Sequence, residues 1–157
     1  MTMTSDDRLR SLGIELEPAP APIGNFRNFT RVGALLYVSG QGPREADGTL
    51  HVGKLGRDVT VEEGYQHARL TGLNLLSVLA EAVGDLSKVK QVVKLLGLVN
   101  ATPDFTDHPS VINGCSDLFI TVFGDPGHHA RSAFGVGSLP NNISVEIEAI
   151  FELHSES

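Results

Sequence analysis

The sequence predicts a two-layer α+β domain in which two helices cover one face of a mixed sheet. Three observations predict it: a long segment after Thr60 has helical periodicity, the last segment alternates like a strand, and segments of both kinds are interleaved. With 157 residues, 41% of them hydrophobic, the chain has the size of one domain with its own core. A single domain over 1–157 is expected, with the unpatterned residues 1–15 as a flexible N-terminal extension.

The elements follow in order. "LEPAPAPIGNF", residues 16–26, holds Pro18, Pro20 and Pro22 and reads as extended chain, because proline fixes φ and removes a donor. "RVGALLYVSGQGP", residues 31–43, contains an apolar run from Ala34 to Val38, a strand stopped by the turn residues Ser39 to Pro43. Residues 44–58, with Asp47-Gly48, read as a hairpin or loop. Thr60 and Glu63 have capping-box spacing, and Tyr65, Ala68, Gly72, Leu76, Leu79 and Val83 mark one apolar face. A long helix over 61–83, closed by Gly84, is predicted.

"VKQVVKLLGLVNA", residues 89–101, is rich in Val and Leu and predicts a central strand. Pro109 suits a first helical turn, so a second helix is expected from there to Gly124. Strands at 131–137 and 143–153 follow the loop "GDPGHH", joined by "SLPNN", where Asn141 and Asn142 tolerate turn geometry.

In the last strand Ile143, Val145, Ile147, Ala149, Phe151 and Leu153 share one face, while Ser144, Glu146, Glu148 and Glu152 share the other. Carboxylates therefore line the helix-free face, which must be solvated or covered by another subunit. In the strand before it Arg131, Ala133, Gly135 and Gly137 alternate with Ser132, Phe134 and Val136. With Phe134 and Val136 turned toward the helices, Arg131 falls on the carboxylate face, and the small residues beside it admit a ligand or another chain.

Composition narrows the function classes. A net charge of -7 disfavours nucleic acid, whose binding draws on Lys and Arg. The single cysteine, Cys115, allows no internal disulfide and fits a reducing compartment. The six histidines show no metal-ligand spacing with it, and no metal or cofactor is expected. "MTMTSDDRLRSLG" has no apolar signal region and no run is long enough for a membrane span, so a cytoplasmic protein without membrane contact is expected. Gly40, Gln41 and Gly42 shape a turn rather than a phosphate loop.

"ARSAFGVGSLPNNISVEIEAI" resembles the C-terminal signature of the RidA family, also called YjgF: an arginine-serine pair, a short strand, Leu-Pro, and a "VEIEA" strand. "APIGNF", "VSGQGP", the long helix and Asn113 extend the resemblance over roughly residues 20–152. It implies a chorismate-mutase-like fold, a homotrimer with clefts between subunits, and a deaminase that hydrolyses reactive 2-imino or enamino acids to 2-oxo acids and ammonia. It also implies a carboxylate-binding arginine at Arg131, a catalytic glutamate at Glu146, and substrate contacts at Ala133, Phe26, Gly40 and Asn113. Two positions depart from the family. Phe26 stands where a tyrosine is frequent, and Ala133 replaces a cysteine, leaving only its backbone to contact substrate or water. These changes, the length added around 44–58 and the histidines at 128 and 129 mark a divergent branch.

The chemistry of these side chains admits alternatives. Arg131 offers a planar fork to a carboxylate, or pairs structurally with Glu146 or Glu148 across subunits. Glu146 orients a water and takes its proton, or is a solvated edge residue; Glu148 reads as structural. Asn113 and Ser39 read as cleft contacts or satisfied buried groups, His128 and His129 as solvated, and Cys115 as core. A second function remains open, a trimer that binds a small carboxylate without turnover. An endoribonuclease reading is weakened by the acidic charge and the lack of a basic stripe.

Overall fold

Thr4 and Asp7 cap one another across the first turn of a helix, α1 (Ser5–Ser11), within the stretch that carries no sequence pattern. This computed structural model describes residues 3–155, so Met1 and Thr2 of the expected extension lie outside the described residues. Leu9 of α1 is buried, and Arg8 donates to the Val122 carbonyl at 3.2 Å.

The segment expected as one strand is a hairpin. Phe29–Val32 (β1) pairs antiparallel with Leu35–Gln41 (β2), and the chain reverses at Gly33-Ala34. Residues 44–58 form no named strand. They hold isolated bridges, Arg44 with Leu50 and Val52 with Ile143, and hang on the next helix through Asn74, which donates to the Gly42 and Arg44 carbonyls at 3.0 Å.

That helix, α2, spans Val61–Val83 as predicted. The Thr60 hydroxyl accepts from the Glu63 amide and the Glu63 carboxylate accepts from the Thr60 amide. Such a cap contributes about 1 kcal/mol. Val89–Asn100 (β3), His108–Phe123 (α3), Ala130–Val136 (β4) and Val145–Leu153 (β5) complete the fold.

The five strands lie in the order β1-β2-β5-β3-β4, with β3 and β4 parallel and every other pair antiparallel. The core lies between the sheet and the helices: Leu75, Leu76 and Leu79 of α2 and Ile112 and Phe119 of α3 meet Leu95, Ile147 and Phe151, all fully buried. Each contributes about 1.5–3 kcal/mol by leaving water. The helices approach closely at Gly114, where a Cβ would stand 1.9 Å from the Tyr65 carbonyl oxygen.

The sheet register overturns one expected orientation. Leu95 pairs with both Arg131 and Ala149, and Leu98 pairs with both Phe134 and Glu146. Cross-strand partners share a face. Arg131 and Ala133 therefore face the helices, while Phe134, 46% exposed, shares the helix-free face with Glu146. Two members of the expected closing strand are also displaced. Because β5 begins only at Val145, Ser144 leaves the carboxylate face and its buried hydroxyl meets His67 Nδ1 at 2.8 Å. Ile143 leaves the helix-covered face and bridges Val52.

Candidate active site

The proposed site residues fall into two groups on opposite sides of the sheet. Arg131 stands on β4, an edge strand, and projects toward α3. There Asn113 and Ser116, three residues apart on a helix, lie side by side. Arg131 Nη1 donates to Asn113 Oδ1 at 2.8 Å and to Ser116 Oγ at 3.1 Å. Both hydrogens of Nη1 are thereby used, which leaves Nε–H and an Nη2–H as one intact fork for a planar anion. Among the described residues no carboxylate pairs with this half-buried guanidinium. Neutral groups alone orient it. Ala133 follows on the same face, packed against the core.

Glu146 belongs to the second group. It lines a cavity of about 280 Å³ with Gly40, Phe26, Pro20, Pro22 and Ile23. A bulge makes this possible: one extra residue in β2 between Val38 and Gln41 turns Gln41 into the core and brings Gly40 over Glu146. A Cβ at Gly40 would lie 3.0 Å from the Glu146 carboxyl carbon, so a glycine gives this carboxylate its room. Burial, and behind it the charge of Glu148, pushes Glu146 above the usual carboxylate range. No protein donor among the described residues bonds it.

Phe26 and Gly40 thus meet Glu146, and Asn113 meets Arg131, but the groups do not meet within one chain. Ser39 lies outside both, its hydroxyl donating to the Arg27 carbonyl at 2.6 Å. Cys115 is fully buried, and burial pushes its thiol far up. His129, expected in solvent, is half-buried and bonded to Ser116 at 2.9 Å. Neither Ser116 nor a wall role for Pro20 to Ile23 is part of the sequence reading. Ser116 is signalled by its spacing from Asn113, and the wall only by the place of "APIGNF" in the resemblance. Among the described residues no group of three His, Cys, Asp or Glu side chains is placed to hold a metal, and no helix is long and apolar enough to cross a membrane.

Comparison with known proteins bears on this arrangement. Residues 6–153 match the family model described as "YjgF/chorismate_mutase-like, putative endoribonuclease". Protein TCP17 of Trypanosoma cruzi is 45% identical over 148 residues, covering 94% of this chain and 92% of that one. The 2-iminobutanoate/2-iminopropanoate deaminase of Salmonella typhimurium is 31% identical over 137 residues, covering 87% and 94%. A crystal structure of an Agrobacterium tumefaciens protein of unknown function superposes with a TM-score of 0.88 at 46% identity, covering 96% and 92%. The α+β fold with its mixed sheet is that of the family. A model match over nearly the whole length, together with these relatives, shows that the chain belongs to the YjgF family, also called RidA.

Proposed function

We propose that the protein hydrolyses 2-imino acids, or their enamine tautomers, to 2-oxo acids and ammonia in a cleft between neighbouring copies of a homotrimer. The observation that carries this reading is the half-buried Arg131 guanidinium, held by Asn113 and Ser116 with one fork open and no carboxylate partner among the described residues. A cation partly withdrawn from water without a counter-ion is disfavoured, so such a site favours an anionic ligand. A deaminase name among the relatives supports the choice of imino acid. The number of copies follows the family resemblance.

Arg131 of one copy would take the substrate carboxylate through Nε–H and Nη2–H. Glu146 of the next copy, with Gly40 and Phe26, would face the imine carbon. Water adds to that carbon as Glu146 takes one of its protons, and the C=N electrons go to nitrogen, which receives that proton from Glu146. The hydroxyl of the resulting carbinolamine then gives its proton, again through Glu146, to the same nitrogen, the carbon–nitrogen bond breaks as C=O forms, and ammonia leaves. A glutamate pushed above the usual range is suited to exchange a proton nearer neutrality. Positioning accounts for the remaining rate, because imines hydrolyse unaided.

Two observations support the assembly. Arg131 and Glu146 lie on opposite sheet faces, so only two copies place them around one ligand. The helix-free face carries Tyr37 and Phe134, both more than 40% exposed, with Leu96, Leu98 and Ile150 between them. The apolar wall beside Glu146 favours substrates with side chains larger than methyl.

The test generates imino acids in situ with an L-amino-acid oxidase acting on alanine, leucine or phenylalanine and follows 2-oxo acid and ammonia formation. Acceleration by the protein, lost in Arg131→Ala, is expected. A protein that binds 2-oxo acids but accelerates none of these hydrolyses would instead be a carboxylate-binding trimer.

A further inference from the structure

We propose that His129 is a positioning residue for Arg131, acting through Ser116 in a one-way hydrogen-bond relay that aims the guanidinium's free fork. The inference rests on the ligand role of Arg131 proposed above.

Its direction follows from one acceptor. His129 Nδ1 lies 2.6 Å from the Gly127 carbonyl oxygen, which only accepts, so the hydrogen is on Nδ1. In the neutral ring Nε2 is then bare and must accept, and Ser116 Oγ, 2.9 Å away, is its donor. With its hydrogen committed, Ser116 Oγ presents lone pairs to Arg131 Nη1 at 3.1 Å. Asn113 Oδ1 takes the other Nη1 hydrogen at 2.8 Å. Along the chain one Arg131 Nη1 hydrogen goes to Ser116 Oγ, the Ser116 hydrogen to His129 Nε2, and the His129 Nδ1 hydrogen to the Gly127 carbonyl. Rotation of the guanidinium breaks two bonds at once.

Protonation of His129 reverses the relay. Nε2 becomes a donor, Ser116 must turn its hydrogen away, and a second positive charge arises beside the guanidinium. The surroundings oppose that state. From α3 come Ser116 and the Phe119 ring, 6.5 Å between centroids and near edge-on, and from the 125–127 turn the Gly127 carbonyl. Burial, which outweighs the Gly127 contact, and then the charges of Arg131 and His128 push His129 below the usual imidazole value. Among the other charged groups on the elements packed around the ring, Asp117 of α3 is bonded to Tyr65, Asp125 lies in the turn, and Lys94 of β3 lines the opposite sheet face.

The test measures binding of 2-oxobutanoate and phenylpyruvate by calorimetry between about pH 8 and pH 5, the range in which a histidine titrates. Glu146→Gln is the background, so that this carboxyl contributes no pH dependence. The parent should lose affinity about 3- to 10-fold as His129 protonates. His129→Gln supplies an acceptor that does not titrate and should keep neutral-pH affinity while removing the pH dependence. Ser116→Ala should weaken binding at every pH and also flatten the profile. An unchanged pH profile in either variant overturns the relay. Arg131→Ala separates the two ideas: retained binding overturns the ligand role of Arg131, whereas lost binding with parental profiles in the His129 and Ser116 variants overturns the relay alone. Thermal melts establish that each variant is folded, and His129→Gln and Ser116→Ala test the relay independently.

Discussion

Arg131 and Glu146 flank the same strand yet stand on opposite faces of the sheet, because Arg131 pairs with Leu95 and Glu146 with Leu98. An odd separation along β3 places two partners on opposite sides of the pleat. The carboxylate is thus separated from the guanidinium by the thickness of a sheet, and each is free to serve a different cleft.

Glu146 should act as the ionised base, and its carboxyl is pushed up by burial. Activity in the oxidase-coupled assay is therefore expected to fall as pH drops through a value above the usual carboxylate range. Glu146→Gln should lower kcat by about 100-fold or more and change KM little. A kcat profile flat across that range, or a fully active Glu146→Gln, contradicts the role.

Gly40→Ala separates site from fold. Its Cβ would meet the flexible end of Glu146 at 3.0 Å rather than any backbone. The carboxylate can give way, so stability should fall by less than about 1 kcal/mol, while misplacement of the base lowers kcat by about 10-fold or more. Denaturant melts and steady-state rates read the two effects apart.

Gly114→Ala should do the reverse. The new Cβ would stand 1.9 Å from the Tyr65 carbonyl oxygen, and backbone on both helices must move to accept it. A loss of about 3 kcal/mol or more is expected, lowering Tm by roughly 10 °C. A melt within about 2 °C of the parent would show that α2 and α3 are not in such close contact.

His67 is held below its usual value by burial, with the neighbouring His51 adding to the effect. Its ring stacks on His51 at 4.5 Å and bonds Ser144. A base depressed in the fold binds fewer protons there than in the unfolded chain. Stability must fall as pH drops from the ordinary imidazole value toward the lower folded one, and level off below it. His67→Gln should flatten this acid slope of Tm.

How much of this was legible follows from the range of each signal. The boundaries of α2 and the alternation of β5 rest on capping and periodicity, which neighbouring residues carry, and both stand. The hairpin of β1 and β2 was hidden because Gly33-Ala34 interrupts a short apolar run without a strong turn signature. α1 was hidden because a two-turn helix with one buried leucine shows no period.

The orientation of β4 shows the limit most clearly. "ARSAFGV" mixes small residues with one phenylalanine, and burying Phe134 was the reading that the hydrophobic pattern favoured. The sequence by itself determined which residue types the site holds, the two long helices α2 and α3, and the apolar face of β5, because propensity and period are local. Only the tertiary structure decided that Arg131 faces α3, that His129 and Ser116 stand behind it, and that Gly40 reaches Glu146 across a bulge. Those relations come from the register of β4 on β3 and of β2 on β5, and register is set by pairing between segments far apart in the chain.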